Sequence, residues 1–247
     1  MSSVSPKPLV SVPTASIRPV HQSPRRRTGA TKVCAITALA VTTALLAGCA
    51  SLSGRASMGF FITSTGSANG ADFGGIAGAD RHCQRLAAAA GAGKRVWRAY
   101  VSQQATDRVA AVNARDRIGN GPWLNAVGDV IATDLTHLHG VNNLSRQTAL
   151  TERGAAVNGR GDTPNLHDIL TGSQPDGTAI AGDVDTTCGN WTQSGAGAAM
   201  VGHHDKAGLD DSVPARSWNS SHQTRGCSAD ALKLTGGAGL LYCFAAD

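Results

Sequence analysis

The chain has 247 residues, with 22 Lys and Arg against 17 Asp and Glu, a formal charge of +5. That balance would suggest a nucleic-acid partner, but the placement of the charge excludes one. Lys7, Arg18, Arg25, Arg26, Arg27 and Lys32 all precede an apolar run and no acidic residue does, so the rest of the chain carries 16 basic and 17 acidic side chains.

Residues 1–48 have the parts of a secretory signal: a basic segment, the apolar run Val33–Gly48 and a small-residue processing site. The run is short for a permanent membrane span. Its end, Leu46-Ala47-Gly48-Cys49, resembles the lipobox of bacterial lipoproteins, which implies lipidation and cleavage at Cys49. Ala50 and Ser51 follow, with no Asp of the kind that retains Gram-negative lipoproteins at the inner membrane. The expectation is a chain anchored by lipid in the cell envelope at the outer membrane, with residues 49–58 as lipidated cysteine and polar tether.

Residues 59–247 form the exported domain. A strand is predicted at Gly59–Thr63, then a helix over "GADRHCQRLAAAAGAG", where Cys83, Leu86, Ala87 and Ala90 share one face and Gly91 supplies a stop. A second strand is predicted at Val96–Ser102. The last, "GLLYCFAA", alternates Leu240, Tyr242 and Phe244 with Leu241, Cys243 and Ala245. Between Ser102 and that strand the chain is rich in Gly, Asn, Asp and Thr, which predicts long loops on a small core. The domain class is α+β.

Cys83, Cys188, Cys227 and Cys243 remain in this domain. An even count in an oxidising compartment predicts two disulfides with three open pairings, and the absence of close C-x-x-C spacing argues against zinc thiolates.

The order of a helix cysteine, loop motifs, two further cysteines and a cysteine in the final strand resembles the C-type-lectin-like domains. "GKRVWRAYVS", "LTGSQPDGT", "DTTCGNWTQ" and "GLLYCFAAD" are similar to the endostatin-like branch. The resemblance implies bridges Cys83–Cys243 and Cys188–Cys227. In sugar-binding members, Gln-Pro-Asp and Trp-Asn-Asp ligate a calcium ion that holds sugar hydroxyls. Residue by residue, Gln174 and Asp176 match the first element, Asp183 or Asp185 stands for a lone acid, and Trp218-Asn219 begin the last. Ser220 stands where Asp is expected, so any calcium is expected to bind weakly. Pro175 and Asp176-Gly177 also spell an ordinary turn, and a comparable turn occurs in the endostatin-like branch without the calcium-dependent site.

Other chemistry is sparse. His137 and His139, with His203, His204 and Asp205, are zinc-ligand types if folding unites the two segments, although histidines in glycine-rich loops more often cap backbone or face water. Zinc is the disfavoured reading, and no cofactor is assigned. Trp97 and Trp191 are expected in the core, Trp123 and Trp218 exposed and available to stack on sugars. Arg115, Arg117, Arg146, Arg153 and Arg160 would suit acidic glycans if they clustered. Glu152 is the only glutamate, which excludes a glutamate acid/base pair. Ser220, Ser221 and His222 lack the setting of a nucleophile elbow. The function expected is a non-catalytic, lipid-anchored binding module for a glycan or an envelope or extracellular protein, with no nucleic-acid partner. The alternatives are a structural or adhesion lipoprotein that binds neither sugar nor metal, and a loop-borne hydrolase.

Overall fold

Nine residues at the C-terminus, Gly237–Ala245 (β8), organise the rest of the domain. The computed structural model describes residues 57–247. The residues expected to form a signal, Cys49 and nearly all of the expected tether lie outside the described residues. No helix among the described residues is long and apolar enough to cross a membrane.

Strand β8 pairs antiparallel with β1 (Phe60–Ile62) and with β2 (Trp97–Ala99). Both contacts use Cys243 and Phe244, so the two strands lie on opposite edges of β8. Its N-terminal half pairs in parallel with β5 (Asp168–Leu170). The sheet continues antiparallel through β6 (Met200–His203) to the two-residue β7 (His222–Gln223). Strands β3 (Trp123–Leu124) and β4 (Val130–Ala132) form a separate hairpin.

The period-two alternation of β8 divides the core into two halves. Leu241, Cys243 and Ala245 pack with Phe61 and Trp97 against Cys83, Leu86 and Ala87 of helix α1 (Gly75–Ala89). Leu240, Tyr242 and Phe244 face the other way, into a cluster that includes Trp123, Ile131, Trp218 and Leu138 of helix α2 (Leu135–His139). A third helix, α3 (Ala229–Thr235), leads into β8. The architecture is mixed α+β.

Two disulfides join Cys83 to Cys243 and Cys188 to Cys227. The first fastens α1 to β8 across 160 residues of chain, a loop long enough that its closure removes much unfolded-state entropy, worth roughly 2–5 kcal/mol. The second closes 39 residues of the loop region.

Cys188–Trp191 form one left-handed turn, with φ of 49° at Cys188, 61° at Gly189, 56° at Asn190 and 68° at Trp191. L-residues adopt this conformation at a cost, and side chains hold it there. Asp185 accepts from the amides of Thr187 and Gly189, both at 2.9 Å. Asn190 exchanges two hydrogen bonds with the backbone of Gln104.

Candidate metal centre

The sheet register brings one acidic and two imidazole side chains to the same face. Asp168 of β5 stands directly opposite His203 of β6, and His222 of β7 stands opposite Val201, two residues along from His203. Residues two apart on a strand point the same way, so Asp168, His203 and His222 converge. His167 immediately precedes β5, and the β5–β8 ladder is irregular beside it, between Asp168 and Ile169. Its ring stacks on that of His203, with centroids 4.1 Å apart and planes within 15°.

Asp168 Oδ1 lies 3.2 Å from His167 Nε2, 3.3 Å from His203 Nε2 and 3.5 Å from His222 Nε2. The Nε2 atoms of His203 and His222 are 3.0 Å apart. Ligands about 2.0–2.1 Å from a tetrahedral zinc stand about 3.3 Å from one another, and the observed separations straddle that value. His167, Asp168 and His203 each offer a ligand atom within 4.8 Å of the other two. His222 completes the group through its approaches to Asp168 and His203. Neither carboxylate oxygen of Asp168 has a hydrogen-bonding partner in the protein.

The other ring nitrogens decide what the Nε2 atoms can offer. His203 Nδ1 lies 2.7 Å from the carbonyl of Ala215, an acceptor only, so Nδ1 carries the proton. His222 Nδ1 faces the carbonyl of Gln223 at 3.2 Å, and His167 Nδ1 faces Asp205 Oδ1 at 3.5 Å. In a neutral ring this leaves Nε2 with a lone pair. Lone pairs aimed at a carboxylate oxygen repel it; a cation at the centre makes every one of those approaches attractive. His203 and His222 thus give their second N–H to a carbonyl, the usual support of a histidine metal site, while His167 Nδ1 faces the Asp205 carboxylate without a hydrogen bond.

With no ion bound, protons take its place between the rings and the carboxylate. Burial raises the Asp168 carboxyl, but His203, His222 and His167 beside it prevail and hold it below the ordinary range. The same carboxylate raises His222 above its usual value, against the effect of burial. Burial likewise opposes ionisation of Asp205, and His167 with the amides of Arg160 and Ala207 outweighs this, holding its carboxyl well below the usual range. Gly236, with φ of 133°, makes room for the cluster, since a Cβ there would come within 3.1 Å of Asp168 Oδ2 and His167 Nε2. Three imidazoles and one carboxylate suit zinc and other first-row transition metals and do not suit calcium, which takes oxygen.

The calcium ligand set expected from the sequence is not assembled. Asp176 Oδ1 accepts from the amide and hydroxyl of Thr178, and Gln174 donates its side-chain amide to Thr178 and Ala179. Asn219 does reach this turn, but with its Nδ2, which donates to the carbonyls of Gln174 and Pro175 at 3.1 Å and to Tyr100 Oη at 3.0 Å. An N–H donor occupies the place where a cation would need an oxygen. Asp185 is committed to the left-handed turn, and Asp183 is exposed on the preceding loop. The turn itself is tight: a Cβ on Gly177 would collide with His139 Nε2.

Trp123 and Trp218, expected to be exposed, are buried at 0% and 5% relative exposure. Trp123 donates to the carbonyl of Ala245 and packs edge-on to Phe244, while Trp218 sits between Tyr100 and Tyr242. A domain with so few large aromatics uses them in its core, and neither face can receive a sugar. Trp97 and Trp191 are buried as expected.

Of the four histidines weighed as zinc ligands, only His203 joins the cluster. His137 binds Thr133 locally, His139 lies between Tyr100 and the carbonyl of Leu135, and His204 turns to the carbonyl of Asn158. The sequence does not point to His167 and Asp168, whose surroundings predict loop, and it offers His222 only beside Ser220 and Ser221. The available signal was an adjacent His-Asp pair before a short apolar run, "HDIL". The arginines do not form one patch: Arg117 pairs with Asp80, Arg146 with Asp162 and Arg153 with Glu152, and Arg115 binds the carbonyl of Asp176.

Ser221 Oγ approaches His203 Nδ1 at 3.3 Å. That nitrogen already donates to Ala215 and has no lone pair to take a proton, so Ser221 is not activated as a nucleophile in this geometry.

The chain matches no protein-family model and no curated protein.

Proposed function

We propose that this chain is an exported, lipid-anchored binding module whose distinguishing function is to hold a divalent transition metal, zinc foremost, at His167, Asp168, His203 and His222. The observation that carries the reading is the convergence of three imidazole Nε2 atoms on one buried carboxylate oxygen, with the His203 and His222 rings backed by a carbonyl at Nδ1.

The scaffold is read as a C-type-lectin-like domain of the endostatin-like kind. The bridges Cys83–Cys243 and Cys188–Cys227 support this, since they are the pairings that the resemblance implies. Lipidation at Cys49, the outer-membrane address and a glycan or envelope-protein partner rest on the sequence signals alone. Calcium-dependent sugar binding through Gln174, Asp176 and Asn219 loses its support, because those side chains are spent on the turn.

The test is metal competition. Purified protein, stripped with a chelator and titrated with Zn²⁺ against a chromophoric chelator, is expected to take up one ion per chain. Asp168→Asn should lose this uptake and Asp176→Ala should keep it. Equal binding by both variants would defeat the assignment.

A further inference from the structure

This inference rests on the reading of the His167, Asp168, His203 and His222 cluster as a metal centre and extends it to what the metal binds. We propose that the cleft above the cluster is a site for an oxyanion, a carboxylate or phosphate on a small organic body, which joins the metal as a fifth donor.

The cleft has a volume of about 430 Å³, and His167, His203 and His222 form part of its lining. That size suits a small organic molecule. The cluster is not equally covered on all sides. The side chains of Asp168, His203 and His167 are 2%, 4% and 5% exposed, while His222 is 38% exposed on a two-residue strand at the end of the sheet order. The metal would therefore meet the cleft on the His222 side. Zinc expands from four to five donors in catalytic sites, and the His222 side is where a fifth would enter here.

The charge around the opening indicates the sign of that donor. Arg160 and Arg225 both border the cleft, and both are exposed. Eight of the twelve arginines among the described residues are committed elsewhere: Arg95 to Asp247, Arg98 and Arg117 to Asp80, Arg146 to Asp162, Arg153 to Glu152, Arg216 to Asp211, Arg85 to His82 and Arg115 to the carbonyl of Asp176. Arg160 and Arg225 have no side-chain hydrogen bond or ion pair among the described residues; only the backbone amide of each is engaged, with Asp205 and Thr235 respectively. One acid, Asp210, also borders the cleft, and its Oδ1 accepts from the amide of Ser212. Two free guanidiniums against one engaged carboxylate, beside a metal, favour an anion, and guanidinium recognises carboxylate and phosphate through paired N–H donors. Ser221 and Asn165 add neutral hydrogen-bonding groups, and Leu209 and Pro214 add apolar surface for the body of the ligand.

The experiment uses the full chain loaded with Co²⁺, whose visible absorption reports coordination number, and titrates it with acetate, glucuronate and inorganic phosphate. The expected result is a saturable loss of band intensity with at least one of these oxyanions, as a fifth ligand enters. Arg160→Gln with Arg225→Gln should weaken that response about 10–100-fold and leave Co²⁺ affinity unchanged. The strongest of the three probes identifies carboxylate or phosphate as the preferred head. Normal Co²⁺ binding with a spectrum that none of the three perturbs at tens of millimolar would overturn the inference and leave the metal centre standing. So would a response indifferent to the double substitution. Failure to bind Co²⁺ at all would remove the metal centre itself, and the inference with it.

Discussion

Two acidic segments of this domain, one a strand start at Asp168 and one a turn at Asp176, lie only eight residues apart in sequence and have opposite fates. At Gln174–Thr178 every polar side chain that resembles a calcium ligand is turned inward on its own backbone, so the segment is complete without a guest. At His167–Asp168 the polar atoms are aimed away from the local chain, at side chains that arrive from β6 and β7, and both oxygens of Asp168 lack a partner in the protein. A buried carboxylate left in that condition is costly. The difference teaches that a ligand motif must be judged by where its lone pairs go, since residue types at the right spacing serve a closed turn equally well.

The sharpest way to break this comparison is to substitute the two aspartates. Asp168→Asn is expected to reduce Zn²⁺ affinity more than about a hundredfold, since it removes the anionic ligand, whereas Asp176→Ala should leave it unchanged; chelator competition reads both. Asp205→Asn removes the support behind His167 without touching a ligand, and a loss of roughly 10–100-fold is expected in the same assay.

Substitutions at the closed turn should act on stability. Asn219→Ala strips donors from the carbonyls of Gln174 and Pro175 and from Tyr100 Oη, all inside or beside a buried network. The expected cost is about 1–3 kcal/mol in urea unfolding, with metal affinity unchanged. Lost metal binding in this variant would mean that the two regions are not independent.

The smallest effect expected is on acid sensitivity. Burial is the main cause that lowers His82 and His139 below their ordinary value of 6.5. The folded state thus favours the neutral rings, and the unfolded chain binds protons first as pH falls. Their contribution to stability is full above about pH 6.5 and is lost as pH drops through the folded values. A series of urea midpoints from pH 7.5 to 5 should decline, and His82→Gln with His139→Gln should flatten the decline. A midpoint as steep in the double variant would assign the acid response elsewhere.

The parts of the fold that were legible in the sequence are those fixed by local period. The alternation of Leu240, Tyr242 and Phe244 with Leu241, Cys243 and Ala245 divides the two core halves as expected, and α1 carries Cys83 inward. Strands β5, β6 and β7 were not legible, because two to four residues in glycine-rich surroundings carry too little pattern to register. The candidate centre depends on those three strands. His167 and Asp168, His203 and His222 are brought together only by cross-strand register, and local spacing holds no trace of it. Trp123 and Trp218 were misplaced for a related reason: each follows a turn-rich stretch, yet each fills a core that has few other aromatics to draw on.

The central claim is tested most directly by anomalous diffraction at the zinc edge, from crystals of the full domain grown with Zn²⁺. One peak is expected about 2.0–2.2 Å from the Nε2 atoms of His167, His203 and His222 and from Asp168 Oδ1. Density with no peak there, and His222 hydrogen-bonded directly to Asp168 in the presence of the ion, would contradict it.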